Sequence, residues 1–268
     1  MKILICGYGN IGKHTYNEFS SLSKDIYIYD KYKDPSINGF YKNTDLQIIN
    51  ESELISTYFN YAFVCVPTEM NIDGSANVSE IFDIVPKINA KVIIIKSAVP
   101  VGTWQQLGQN NVIISPEFYG TTQHSLDSPG FIILGGEDEA QKAAAAIYNK
   151  VKTGDFKYYY PDAKTAELTK YMENCWIATK VTFCNEFATI AEKFGIDYNK
   201  LRMCWVADER VNPSHTYVYP DKPYYDSHCL NKDIPALIYQ CKENNIDTPL
   251  MDAVLDIKET RSRKKFTL

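Results

Sequence analysis

The sequence is short of positive charge, of long apolar runs and of paired cysteines, and each shortage excludes a class of protein. Lys plus Arg number 28 against 33 Asp plus Glu, a net charge of −5. A nucleic-acid footprint needs clustered cations, and the only dense basic run, Arg261, Arg263, Lys264 and Lys265, reads as a solvated tail. Nucleic acid is therefore not expected as a partner. No apolar run approaches the roughly 20 residues of a membrane span, and the N-terminus carries no charged segment leading into a long apolar one. The expectation is a soluble, cytoplasmic protein with no membrane partner. Seven cysteines form an odd set without C-x-x-C spacing, and Cys6 and Cys65 sit in runs that read as buried strands, which fits a reducing compartment. With 268 residues, against roughly 150 per domain, the chain has room for one large domain or two modest ones. Folding at that size buries about three quarters of the extended-chain surface, so neither disulfides nor a structural metal is needed.

What is present is a series of short β-branched runs. Lys2-Ile3-Leu4-Ile5-Cys6 meets Gly7, Gly9 and Gly12, and the segment from Lys13 to Leu22 can turn as a helix. Ile26 to Tyr29 is a second strand-like run, closed by Asp30, and Ala62 to Val66 is another, stopped by Pro67. Lys91 to Ile95, Val112 to Ile114 and Phe131 to Leu134 continue the series, each followed by turn residues and polar or helical sequence. Strands alternating with helical stretches call for a mostly parallel sheet covered on both faces. Residues 1–156 are thus expected to form a doubly wound α/β domain, and residues 157–268 a helical one.

The character of the second half rests on one long segment. From Asp162 to Phe194 there is neither Pro nor Gly, and Leu168, Met172, Cys175, Thr179, Phe183, Phe187, Ile190 and Phe194 recur at helical spacing. Asp162 is placed to cap this helix and Gly195 to stop it. At about 1.5 Å per residue it would run roughly 50 Å, and the mixed character of its other face, Lys170, Asn174, Ile177, Val181 and Asn185, predicts that both sides are covered. A second helix is expected after Asp197. A Pro- and Tyr-rich loop from Asn212 to Tyr225 follows, then a helix from Asp233 to Asn244 with Pro235 in its first turn and a last one from Pro249 to Glu259.

Gly7-Tyr8-Gly9-Asn10-Ile11-Gly12 has the spacing G-x-G-x-x-G. The first glycine allows the tight turn, the second lets the backbone approach a pyrophosphate, and the third lets helix and strand pack closely while the helix N-terminus faces the negative charge. Asp30, 18 residues beyond Gly12, stands where a carboxylate accepts the ribose hydroxyls. A carboxylate there repels a 2′-phosphate, so NAD is favoured over NADP as cofactor; Lys31 and Lys33 weaken that preference without reversing it.

Five further motifs occur in order: Val64-Cys65-Val66-Pro67-Thr68; Lys96-Ser97-Ala98-Val99-Pro100-Val101-Gly102-Thr103; Ser115-Pro116-Glu117-Phe118; Ala166-Glu167-Leu168-Thr169-Lys170 with Asn174 and Asn185-Glu186; and Cys229-Leu230-Asn231-Lys232-Asp233. In sequence and spacing the chain resembles the UDP-glucose 6-dehydrogenase and GDP-mannose dehydrogenase family of nucleotide-sugar dehydrogenases. The resemblance implies a Rossmann-like domain followed by an all-helical dimerisation domain, a homodimer through the long helix, and a nucleotide-sugar substrate. It implies oxidation of a primary alcohol at the sugar C6 to a carboxylate in two NAD-dependent steps, with a cysteine holding first a thiohemiacetal and then a thioester. It assigns Cys229 as that nucleophile, Lys170 and Asn174 as groups that stabilise the developing oxyanion and hold a water, Glu117 as the acid–base carboxylate, and Asp233 as the carboxylate that assists the hydrolytic water. Cofactor contacts are implied at Val66, Pro67, Thr68, Ser97 and Lys232, and substrate contacts at Phe118, Lys170, Asn174 and Arg210, the last reaching a neighbouring subunit.

The residues themselves are compatible with these roles. Placed just before a helix with Lys232 three residues on, a Cys229 thiolate would be stabilised by the helix N-terminus and by positive charge. Lys170 and Asn174, four apart, share a helical face and could reach one substrate oxygen. The chain also departs from the family: Ala98 replaces a Thr, Thr121 a Glu, Asp226-Ser227 a pair of glycines, and Phe131 an Arg, and full-length members continue into a third domain that grips the nucleotide. Two other readings stay open, a two-electron NAD-dependent dehydrogenase acting on a smaller alcohol or hydroxy acid, and a catalytically impaired NAD-binding dimeric module.

Overall fold

The computed structural model describes residues 1–32, 46–118 and 130–264. They divide into two compact units, one made of Met1–Glu69, Asn77–Phe118 and the stretch ending at Lys170, the other of Met70–Ala76 and the stretch from Tyr171 onward.

The first unit is built on a six-stranded parallel sheet. Its strands are β1 (Ile3–Cys6), β2 (Ile26–Tyr29), β3 (Gln47–Ile48), β4 (Phe59–Val64), β5 (Ala90–Ile95) and β6 (Val112–Ile114), in the order β3-β2-β1-β4-β5-β6. Helices α1 (Asn10–Phe19), α2 (Glu51–Ser56), α3 (Ser79–Ile84), α4 (Thr103–Leu107) and α5 (Asp138–Tyr148) come between and after them. Alternate residues of each strand face opposite ways. Leu4, Cys6, Ala62, Val64, Ile93 and Ile95 pack with Leu54 of α2 and Ile81 and Ile84 of α3. Ile3, Ile5, Phe63, Val92 and Ile94 pack with Phe19 of α1 and Ala144, Ile147 and Tyr148 of α5. Both faces are therefore buried, which is why these strands read as continuous apolar runs rather than alternating ones. Each fully buried Ile or Phe stabilises the sheet by about 1.5–3 kcal/mol relative to exposure.

Strands β7 (Phe131–Ile133) and β8 (Lys157–Tyr159) pair with each other in parallel. The chain after β7 joins the edge of β6 through two hydrogen bonds of 2.8 Å between Ile114 and Gly135. Residues 157–170, grouped with the helices on sequence grounds, lie with the sheet: β8 pairs with β7, and Ala163 and Ala166 belong to the core around Leu4.

The second unit is helical. It contains most of α6 (Ala163–Lys193), then α7 (Tyr198–Trp205), α8 (His228–Glu243) and α9 (Pro249–Lys264). Its core gathers Cys175 and Ala178 of α6, Tyr225, Leu230, Ile234 and Ile238 of α8 and its approach, and Val254 of α9. The predicted cap of α6 is present, Asp162 Oδ1 accepting from the Thr165 N–H at 2.9 Å, and α7 is capped by Asp197, whose side chain accepts from the Asn199 N–H at 2.9 Å.

Four expectations are corrected. The first helix starts at Asn10, inside the glycine motif, and not at Lys13. The fourth strand starts at Phe59 and ends at Val64, two residues short of Val66. Helix α8 starts at His228, five residues before Asp233, so Pro235 lies in its interior; the Ser227 side chain, accepting from the Leu230 N–H at 3.2 Å, supplies the start signal. Lastly, among the described residues α6 is covered on one side only. Its buried face carries Tyr171, Asn174, Ala178, Lys180 and Asn185, while Met172, Trp176, Phe183, Phe187, Ile190 and Phe194 are exposed. Among the described residues, no helix is long and apolar enough to cross a membrane.

Candidate active site

The glycine turn links β1 to α1. Gly7 has φ of 85°, and a Cβ on it would stand 2.8 Å from the Cys65 carbonyl oxygen; a Cβ on Gly12 would stand 2.0 Å from the Gly7 oxygen. Those two positions exclude a side chain. Gly9 is different, because a Cβ there would meet nothing within 4 Å, so the backbone faces open space. Gly9 caps α1 without a side-chain hydrogen bond, as suits a helix start whose N–H groups serve an anion. Asp30 closes β2, and its two carboxylate oxygens accept from the Tyr8 N–H at 2.7 Å and the Tyr32 N–H at 3.1 Å. These residues fit a dinucleotide: a turn open to pyrophosphate beside a carboxylate held for ribose hydroxyls. Asn10 and Ile11 open α1. Val66, Pro67 and Thr68 follow β4 and Ser97 follows β5, and the two loops are tied by hydroxyls, Ser97 Oγ donating to the Val66 carbonyl at 2.6 Å and Thr68 Oγ1 to the Ala98 carbonyl at 2.8 Å.

Beyond β6 the same unit holds Glu117 and Phe118. Glu117 Oε2 lies 3.2 Å from Lys96 Nζ, with both side chains largely buried, and Glu117 Oε1 accepts from the Phe118 N–H at 2.9 Å. Burial works against the Lys96 ammonium, but Glu117 beside it wins and holds the lysine protonated well above its ordinary range. Tyr148, whose hydroxyl accepts from Lys96 Nζ at 3.5 Å, is pushed up by burial. Lys170 Nζ stands 4.7 Å from the centre of the Phe118 ring, a cation–π contact; Phe131 meets the same ring at 5.1 Å. The structure thus brings Glu117, Phe118 and Lys170 together. Glu167 is structural: it accepts from the N–H groups of Gly102 at 2.6 Å and Trp104 at 2.8 Å, and burial raises its carboxyl above the ordinary value. Lys96 is the residue that sequence reasoning left without a role. The signal was available, since a lone lysine directly after the all-apolar run Val92–Ile95 needs an acid partner to be buried.

In the second unit Asn174, Lys232 and Asp233 meet. Asn174 Nδ2 donates to Asp233 Oδ2 at 2.6 Å, and Lys232 Nζ lies 2.7 Å from Asp233 Oδ1. The Asp233 side chain is 3% exposed. Cys229 is the second residue of α8 and not a residue ahead of it; it is exposed and, four residues before Asp233, shares its helical face. Cys175, by contrast, is pushed up to about 12 by burial, as is Cys65 in the first unit. The departure at Asp226-Ser227 has a local explanation: Ser227 caps α8, and Asp226 accepts from Asn231 Nδ2 at 2.7 Å and pairs with Lys222 at 2.7 Å. Arg210 is not with this group. Its side chain is 88% exposed and forks onto Asp208, two residues away, with Nη2 at 2.5 Å from Oδ2. Lys33, Thr121 and Lys265 lie outside the described residues.

A parallel sheet in this strand order, with a glycine turn after the first strand and a carboxylate after the second, defines the first unit as a Rossmann-type dinucleotide-binding domain. The chain belongs to the UDP-glucose/GDP-mannose dehydrogenase family: residues 19–152 match the NAD binding domain of that family and residues 164–260 its central domain. NAD is accordingly the cofactor of the first unit. The UDP-glucose 6-dehydrogenase of Campylobacter jejuni is 28% identical over 99% of this chain and 73% of its own length. Among solved structures, a UDP-glucose dehydrogenase from Pyrobaculum islandicum superposes with a TM-score of 0.78 at 20% identity, over 98% of this chain and 68% of that one. The 3-hydroxyisobutyrate dehydrogenase of Mycobacterium tuberculosis superposes with a TM-score of 0.73 at 15% identity, over 98% of this chain and 94% of that one. At such identities the two structures establish the fold.

Proposed function

We propose that the protein oxidises the C6 primary alcohol of a nucleotide sugar of the UDP-glucose kind to the carboxylate, with Cys229 as covalent nucleophile. The observation that carries this reading is the Asn174–Asp233–Lys232 cluster, its buried carboxylate engaged at both oxygens, one helical turn from an exposed cysteine in the first turn of α8. The alcohol passes to the aldehyde, and the Cys229 sulfur adds to the aldehyde carbon. The thiohemiacetal is oxidised to a thioester, and water then cleaves the carbon–sulfur bond to release carboxylate and thiol. NAD, when bound, accepts one hydride in each of the two oxidations. Its exposure in the first turn of α8 leaves the Cys229 sulfur open to an incoming aldehyde. Asn174 and Lys232 hold Asp233 as an oriented carboxylate that positions the hydrolytic water. In the first unit, Glu117 supplies acid–base capacity and Lys170 a positive charge for a developing oxyanion.

Two further features complete the reading. The exposed apolar face of α6 is the surface through which two copies pair as a homodimer. All seven cysteines are free, which accords with a cytoplasmic setting.

The test is NADH formation at saturating NAD with UDP-glucose, related nucleotide sugars and their sugar phosphates. Two NADH per sugar are expected, with no carboxylate formed by Cys229→Ala. A flat trace across the panel overturns the reading, and one NADH per turnover with Cys229→Ala still active establishes the simpler two-electron chemistry instead.

A further inference from the structure

The carboxylate that closes β2 is followed by a lysine, and a lysine at this point is what a 2′-phosphate on the adenosine ribose would seek. Lys31 is engaged elsewhere. Its Nζ lies 3.7 Å from Glu80 Oε1 and 3.5 Å from Asp83 Oδ2, both carboxylates on α3. The next residue points the same way, since the Tyr32 hydroxyl donates to Glu80. Asp83 in turn also takes Lys87 Nζ at 2.8 Å, and that ammonium is shared with Glu51 at 2.6 Å. Among the described residues around the end of β2 there are thus four carboxylates, those of Asp30, Glu51, Glu80 and Asp83, against the two ammonium groups of Lys31 and Lys87.

We propose that Glu80 is a determinant of cofactor choice: by holding Lys31 against α3 it withholds from a 2′-phosphate the cation that would otherwise offset Asp30, and so reinforces NAD over NADP. The inference rests on Asp30 receiving the adenosine ribose of NAD. Asp30 supplies the direct repulsion, and α3 removes its natural compensation. Glu80 touches no part of the cofactor in this scheme and acts through Lys31. The Glu80–Lys31 pair is partly exposed, so its hold on the lysine is modest and can be broken by one neutral substitution. Glu80→Gln suits the purpose because the amide keeps an oxygen for the Tyr32 hydroxyl while losing the charge that attracts the ammonium.

The experiment is direct binding by calorimetric titration of NAD and of NADP to the whole chain, without substrate. Four proteins are compared: the wild type, Glu80→Gln, Lys31→Met, and the double variant. In Glu80→Gln the ratio of the two dissociation constants is expected to move toward NADP by about fivefold, the effect of one partly screened charge. In the double variant that gain is expected to vanish, because the released ammonium is its source. Asp83→Asn, which loosens the same lysine from its other carboxylate, is expected to move the ratio in the same direction. A ratio unmoved in Glu80→Gln and Asp83→Asn overturns the inference. So does an equal gain in the double variant, which would assign the effect to the loss of a distant negative charge. Failure of the wild type to bind NAD would overturn the cofactor reading itself, and the inference with it.

Discussion

Asp233 shows how strongly a single residue can be fixed by its neighbours. A carboxylate this buried is tolerated because Lys232 and Asn174 take one oxygen each. Removing it takes a close counter-charge from a largely buried ammonium, so Asp233→Ala is expected to cost about 3 kcal/mol of stability, read as a lower urea midpoint, in addition to any loss of turnover. Asp226 makes a gentler prediction on pH. Hydrogen bonds from Lys222 and Asn231 hold its carboxyl below the ordinary 3.8. A depressed folded value means that the contribution is complete above pH 3.8 and is lost as the pH falls through the folded value. The side chain is partly exposed, so the effect is under about 1 kcal/mol. Urea midpoints at pH 7 and pH 3 should therefore differ less in Asp226→Asn than in the wild type. Motif spacing offered candidate residues for the site, and a hydrogen bond joins two of them, Asn174 and Asp233, across 59 positions. What spacing could not show is which charges are already committed: Lys96 to Glu117, and Arg210 to its own neighbour Asp208.

At the scale of elements, α6 carries the clearest consequence. The Phe183 ring meets that of Phe187 at a tilt, 4.6 Å between centres, and lies 5.7 Å from Trp205 of α7, yet both phenylalanines stay exposed. If this face pairs two copies, Phe183→Glu with Phe187→Glu should halve the mass measured by light scattering at micromolar concentration while leaving the helical circular dichroism in place; an unchanged mass would remove the stripe as the interface. The strands of the main sheet were readable because burial on both faces makes them continuous β-branched runs, and α6 because apolar residues recur at helical spacing between Asp162 and Gly195. The misses share a cause. Strand β3 is two residues long, too short for any periodicity to register. Helix α8 starts early because Ser227 caps it, whereas the proline rule pointed to a start just ahead of Pro235. Periodicity in α6 found the apolar stripe but could not say which face the chain itself would cover; the covered face sets Asn174, Lys180 and Asn185 among the small side chains of Cys175, Ala178 and Cys184.

For the whole molecule, the family assignment joins an NAD-binding unit to a helical one, and the chain spans 73% of its Campylobacter jejuni relative and 68% of the Pyrobaculum islandicum structure. The fold was legible in outline, because the order of strands, glycine turn, acid and long helix is written along the chain. The substrate was not, since the loop from Asn212 to His228 follows no periodic pattern. One further consequence follows from where the sulfur atoms lie. Only Cys204 and Cys229 are exposed, whereas Cys6, Cys175 and Cys184 are buried and burial raises Cys65 and Cys241 as well. A maleimide added to the native protein should therefore attach rapidly at Cys204 and Cys229, and intact mass spectrometry should record the adduct count climbing to seven as denaturant opens the chain. The protein carries its own unfolding counter, and a nucleotide sugar that shields Cys229 alone would lower the native count by one.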